Sequence, residues 1–112
     1  MEDKIASASK ALSNDQPERA RRLLEQALRG DPSNVKALWM MARLRESRGE
    51  ISEWLDTLAK LKEVLPDELG VIDELARAYA KAKRPPESAS LYRDFLQRKP
   101  DSTNARFNYA YY

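Results

Sequence analysis

The sequence predicts an all-α fold in which pairs of helices repeat along the chain and stack side by side, with about seven helices in total. Two residue types recur every 34 positions: Pro32, Pro66 and Pro100, and Ala8, Ala42, Ala76 and Ala110. A fixed period in this range is the signature of a stacked repeat array. We therefore predict one domain over residues 1–112, made of repeats 1–34, 35–68 and 69–102 and a half repeat 103–112.

The first repeat begins with a helix over residues 3–14, because Ile5, Ala8 and Leu12 fall on one helical face. Pro17 suits the first turn of a second helix, where its missing N–H would have no helical acceptor. The second helix ends near Gly30, and Ser33 is a plausible N-cap for the next one. This segment is therefore predicted to form one antiparallel pair.

The central repeat has the clearest apolar periodicity. Gly49 separates its two helices and can adopt the left-handed conformation that ends a helix. The predicted apolar faces of the two helices are Leu38, Met41, Ala42 and Arg45, and then Ile51, Trp54, Leu55, Leu58, Leu61 and Leu65.

The third repeat follows the same plan. Asp67 is a candidate cap for its first helix, and Pro85-Pro86 start its second. The predicted buried faces are Ile72, Leu75, Ala76 and Tyr79, and then Ser88, Leu91, Tyr92, Phe95 and Leu96. A last helix is predicted over 103–112.

Composition excludes several classes of function. The chain has 20 basic and 18 acidic residues, a net charge of +2, which gives no electrostatic reason to expect nucleic acid or an anionic membrane. It has no Cys and no His, so thiolate sites, the commonest general base and the commonest zinc ligand are absent. We expect no catalytic residue, metal or cofactor. No apolar signal core or membrane span is present, so a cytoplasmic location is expected.

The repeated positions resemble the tetratricopeptide repeat (TPR) family over nearly the whole chain. The family pattern has a small residue midway along each first helix, and the alanines above match it. Early in each second helix the family has another small residue, which Ala20 and Ser88 match. One turn later the large residues are Leu24, Leu58 and Tyr92, and the next turn carries Ala27, Leu61 and Phe95. Trp54 departs from the pattern, because it takes a small-residue position and is expected to spread the helices or turn outward.

The resemblance implies a right-handed superhelical α-solenoid that binds protein partners in a concave groove. Its first helices would line that groove, and the matching positions are Ile5, Ser9, Trp39, Arg43, Asp73, Arg77, Phe107 and Tyr111. A partner peptide or helix with an apolar anchor and acidic groups would suit Trp39, Arg43 and Arg77. Two structural alternatives stay open: Trp39 packs on a neighbouring helix, or Arg43, Asp73 and Arg77 form a surface ion-pair string.

Other functions compete with groove binding. Phe107, Tyr109, Tyr111 and Tyr112 place four aromatics in six residues, which favours either a fragment of a longer array or a homodimer contact. An RNA-binding helical repeat is disfavoured by the near-neutral charge. Clamping of acidic chaperone tails is disfavoured because the family's basic and amide positions hold Ile5, Ser9, Met40, Gly70 and Glu74.

Overall fold

The structure, a computed structural model, describes residues 2–102, and within that stretch every regular element is an α-helix. The helices are α1 (Glu2–Ser13), α2 (Pro17–Gly30), α3 (Val35–Ser47), α4 (Ile51–Val64), α5 (Leu69–Lys81) and α6 (Pro85–Arg98). Consecutive helices pack in pairs, α1 with α2, α3 with α4 and α5 with α6, and each pair packs on the next. This confirms the predicted all-α stack. The seventh helix predicted over 103–112 lies outside the described residues.

The turn inside each pair has the same backbone geometry. Asp15, Gly49 and Lys83 are spaced 34 residues apart and have φ values of 57°, 71° and 62°. After each, an N–H reaches back five residues to a carbonyl, as in Gln16 N to Ala11 O at 2.8 Å. This is the Schellman closure of a helix C-terminus. The sequence predicted it only at Gly49, because only that turn has a glycine.

The helix starts differ from two of the predicted caps. Asn34, not Ser33, is the N-cap of α3, and its Oδ1 accepts a hydrogen bond from the Ala37 N–H at 2.9 Å. Glu68 precedes α5 without a side-chain cap, whereas Asp67 faces Arg98 at 3.4 Å. The first prediction was off by one residue, because Ser33 and Asn34 stand side by side, and the second was wrong because α5 has no side-chain cap.

The apolar interior is divided into two clusters. The larger joins the second and third repeats around Trp54, Leu58, Ile72 and Tyr92. The smaller joins α1 and α2 to one side of α3, around Leu24 and Met41 among others. Leu28 packs against both clusters. The division runs along α3, which gives Ala37, Met41 and Leu44 to the smaller cluster and Leu38 and Ala42 to the larger one.

Trp54 lies inside the larger cluster with 1% of its surface exposed, so the expectation that it could turn outward is wrong. Its neighbours in the repeat register, Ala20 and Ser88, are also fully buried. The Trp54 Nε1 is buried, and no acceptor among residues 2–102 bonds to it. Two cations cover its ring instead: the Arg77 guanidinium at 5.2 Å and the Lys81 ammonium at 5.6 Å. The large ring is therefore retained through apolar burial and cation–π contact.

Candidate partner-binding surface

The candidate surface is carried by the first helix of each pair. We call it the first-helix face and define it by Ser9 on α1, Trp39 and Arg43 on α3, and Asp73 and Arg77 on α5. These side chains are half-buried or exposed, whereas the intervening positions of the same helices form the core. Helical spacing of i, i+4 places Trp39 with Arg43 and Asp73 with Arg77 on one side of each helix.

Arg77 ties α5 to α3. Its Nη1 forms an ion pair with Glu46 on α3, and its Nη2 contacts Glu74 at 2.7 Å. The same guanidinium stacks over Trp54, as described above. The Arg77 guanidinium pairs with two carboxylates and stacks on an aromatic ring, so its side chain has few accessible conformations. This part of the first-helix face is therefore rigid.

The protonation of this pair reflects its contacts. The hydrogen bond from Arg77 lowers the pKa of Glu46 below its ordinary value, although partial burial opposes that change. The same bond to Glu46 raises the pKa of Arg77 further above neutrality. Both groups are therefore charged at neutral pH, and the contact between α3 and α5 is a permanent ion pair.

Arg43 occupies the same repeat position as Arg77 but has different surroundings. It is exposed and forms no hydrogen bond or ion pair with the rest of residues 2–102. One repeat back from Glu46 and Trp54 the chain has Leu12 and Ala20, which offer neither a carboxylate nor a ring. Arg43 therefore presents an available guanidinium on the first-helix face.

The other predicted positions differ in accessibility. Trp39 is half-buried and packs against the larger core cluster, so it has both a structural contact and an exposed part. Asp73 accepts a hydrogen bond from the Tyr92 hydroxyl at 2.6 Å. Since Arg77 pairs with Glu46 and Glu74, the ion pairs differ from the predicted Arg43–Asp73–Arg77 string.

Two predictions at the ends of the surface have separate outcomes. Ile5 was placed on the binding surface, but it is fully buried in the smaller core cluster, so that placement is wrong. Ser9 is exposed, as the prediction requires. The aromatic candidates Phe107, Tyr109, Tyr111 and Tyr112 lie outside the described residues.

Two further features bear on the class of site. Within residues 2–102, no group of acidic side chains is arranged to hold a metal ion. None of the described helices is long and apolar enough to cross a membrane.

Comparison with known proteins identifies the family. One model of the tetratricopeptide repeat matches residues 11–70, and a second matches residues 74–112. The chain belongs to the tetratricopeptide repeat family. The predicted resemblance is thus confirmed, and the stack described above is a TPR stack, the architecture of a protein-interaction module. No curated protein sequence is significantly similar to this TPR chain.

Solved structures show the same fold. The TPR chain is similar to "MamA D159K mutant 1", with a TM-score of 0.71 and 19% identity over 96% of this chain. It is also similar to "MamA MSR-1 C2", with a TM-score of 0.66 and 20% identity over 96% of this chain. The matches span 63% and 60% of those two proteins.

Proposed function

We propose that this TPR chain, acting as one domain over residues 1–112, binds a segment of a partner protein on its first-helix face. The observation that carries the proposal is the contrast between two arginines at the same repeat position. Arg77 is held by Glu46, Glu74 and Trp54, whereas Arg43 forms no hydrogen bond or close ion pair within residues 2–102 and feels only the longer-range charge of Glu46. Arg77 would fix the spacing of α3 and α5, and Arg43 would meet the ligand.

The chemistry of the face favours a peptide or helix with one apolar side chain and one carboxylate. The exposed part of Trp39 offers an aromatic contact one helical turn from Arg43. Aromatic and arginine side chains are the residues that most often dominate binding energy at interfaces. Because the Glu46–Arg77 pair already fixes the backbone, binding would proceed with little rearrangement.

Selection from a library of random peptides against the immobilised protein tests the proposal. We expect the enriched peptides to contain an acidic residue close to a large apolar one. Arg43→Glu should weaken their binding at least about tenfold, because a charge-assisted hydrogen bond becomes a repulsion. Arg22→Glu is the matched control, since Arg22 is exposed on α2 and has no ion pair in the described part of the chain. Equal weakening by both substitutions would show a general charge effect and reject the first-helix face.

A second candidate function is self-association through the aromatic residues of the last predicted helix. The cluster of Phe107, Tyr109, Tyr111 and Tyr112 in the sequence favours it, because contiguous apolar patches mark interaction sites. The test is the solution mass over a concentration series, for the chain and for a variant with Tyr109, Tyr111 and Tyr112 changed to Ser. Dimerisation that disappears in the variant would support this candidate, and a monomer at all concentrations would reject it.

A further inference from the structure

A cavity of about 440 Å³ opens between the first and second repeats. Its apolar floor is formed by Leu28 of α2 with Leu38 and Met41 of α3. Charged and polar groups surround that floor: Glu25 and Arg29 from α2, Arg45 from α3 and Thr57 from α4. An apolar floor with a few polar groups at its edge is the usual composition of a ligand site of this size.

The cavity is separate from the first-helix face. Leu38, Met41 and Arg45 lie on the side of α3 opposite Trp39 and Arg43. The remaining walls come from α2 and α4, the second helices of their pairs. A ligand in this cavity would therefore contact none of the residues proposed above for partner binding.

The corresponding positions between the second and third repeats hold apolar side chains. Shifted by 34 residues, Arg45 corresponds to Tyr79 and Thr57 to Leu91. Leu91 is buried in the larger core cluster, and Tyr79 packs against it with Arg84 stacked on its ring at 5.2 Å. Arg45 and Thr57 put polar groups where the other repeat has a ring and a branched apolar chain. The division of the core into two clusters falls at this point.

The charges at the cavity favour an anion. The Arg45 Nε is buried and makes no hydrogen bond with any group in the described residues. Arg29, at the rim, likewise has no ion pair within residues 2–102. The single carboxylate, Glu25, is already bound by Arg21 at 2.6 Å. Neither Arg45 nor Arg29 is paired with a carboxylate of the described residues, so a ligand carboxylate at the rim would meet two uncompensated positive charges.

We propose that this cavity is a second docking site, which takes one large apolar side chain of a partner polypeptide together with a carboxylate beside it. The apolar side chain would lie on Leu28, Leu38 and Met41, and the carboxylate would accept hydrogen bonds from Arg45 and meet the charge of Arg29. The two faces of the stack could then be occupied at the same time by different segments.

The test is an NMR titration of the ¹⁵N-labelled protein with the peptide acetyl-Gly-Phe-Asp-Gly-amide. We expect the largest shift changes at the backbone amides of Leu38, Met41 and Arg45. Peptides with Lys for Asp, or Ala for Phe, should bind at least about tenfold more weakly, because each loses one half of the contact. Shifts concentrated at Trp39 and Arg43, or no shifts at millimolar peptide, would overturn the proposal.

Two substitutions at Arg45 separate binding from folding. Arg45→Gln should weaken binding of the peptide about tenfold, because it removes the charged donor. Arg22→Gln should leave peptide binding unchanged. Arg45→Tyr introduces the residue that the third repeat has at this position, Tyr79, which packs against the larger core cluster. We expect it to abolish peptide binding and to raise the midpoint of thermal unfolding. Undiminished binding by folded Arg45→Tyr protein would show that the peptide does not enter the cavity and would overturn the proposal.

Discussion

The two seams between consecutive repeats share one backbone plan and differ in their side chains. At the first seam, where α2 meets α3 and α4, Arg45 and Thr57 leave a cavity beside Met41. At the second seam, where α4 meets α5 and α6, Tyr79 and Leu91 belong to a continuous core around Trp54. A repeat period thus specifies where helices cross, but the occupant of each position decides whether the crossing is closed.

Each seam has an ion pair, since Glu18 of α2 pairs with Arg48 across the first seam, but among the described residues only the second seam adds a cation–π contact. Glu46 and Arg77 pair across the second seam, and Arg77 also covers the Trp54 ring. At the first seam, Arg43 has Leu12 and Ala20 at the corresponding positions and forms no such pair within residues 2–102. In a stacked array, stability is a sum of terms from each repeat and each interface. We therefore expect the second seam to be the more stable one and the first to be the more open to ligands.

The largest predicted effect is at Trp54. Its removal should take away the extra stability of the second seam. Trp54→Ala should lower the free energy of unfolding by about 3–5 kcal/mol, because the ring is fully buried and leaves a large cavity. Urea unfolding followed by circular dichroism measures it. Trp39→Ala is the control and should cost about 1 kcal/mol, since Trp39 is only half-buried. Equal losses for the two tryptophans would contradict the account of the core.

A reciprocal exchange at Leu91 and Thr57 sharpens the comparison. Leu91→Thr should lower the free energy of unfolding by about 2–3 kcal/mol, because it removes buried methyl groups and adds a hydroxyl. Thr57→Leu should stabilise by up to about 1 kcal/mol, because the adjacent cavity gives the longer side chain room. Thermal and urea unfolding of both variants provide the measurement. If Thr57→Leu were as damaging as Leu91→Thr, the first seam could not be under-filled.

The sequence predicted the helices well because the 34-residue period and the helical spacing reinforce each other. Among the described residues, the expected buried positions of the stack are held by Ala8, Ala42 and Ala76 and by Leu24, Leu58 and Tyr92. It also placed Arg43 on an exposed surface of α3. Local patterns of this kind survive because neighbouring repeats impose the same environment on each copy.

The sequence was less informative where a contact joins different repeats. Nothing local in the sequence indicates that Glu46 meets Arg77 across the second seam. Ile5 was misplaced because it was assigned to the groove by its match to the family's repeat positions, although Ile5, Ala8 and Leu12 share the apolar face of α1. The left-handed turn residues Asp15 and Lys83 could have been found by shifting Gly49 one period each way.

Those turns provide a third prediction, which compares the second and third repeats. Lys83 has φ of 62°, a conformation that costs a non-glycine residue about 1 kcal/mol or more. Lys83→Gly should therefore raise the free energy of unfolding by up to about 1 kcal/mol. Gly49→Ala is the reverse change, at a φ of 71°. No atom of the described residues lies within 4 Å of the new methyl group, so only backbone strain acts. The free energy of unfolding should therefore fall by about 1 kcal/mol. Melting curves of the two variants should shift in opposite directions, and shifts in the same direction would contradict the shared turn geometry.

The smallest predicted effect concerns the ion pair of the second seam. Since the pKa of Glu46 is lower in the folded chain than its ordinary value of 4.5, the folded state binds the proton more weakly than the unfolded state. The contribution of this pair is therefore fully present above pH 4.5 and is lost as pH falls through the folded pKa. Both partners are partly exposed, so solvent screens the pair and limits its contribution to about 0.5–1 kcal/mol.

Glu46→Gln should remove that contribution at neutral pH and flatten the acid limb of the stability curve. Asp94→Asn is the control, because Asp94 is exposed and has no ion pair within residues 2–102. Free energies of unfolding measured by urea titration between pH 3 and pH 7 should converge for wild type and Glu46→Gln at the acid end. A constant gap at every pH would mean that the substitution acts through packing. The second seam would then depend on the apolar cluster around Trp54 and Leu91, with no measurable contribution from the charge of Glu46.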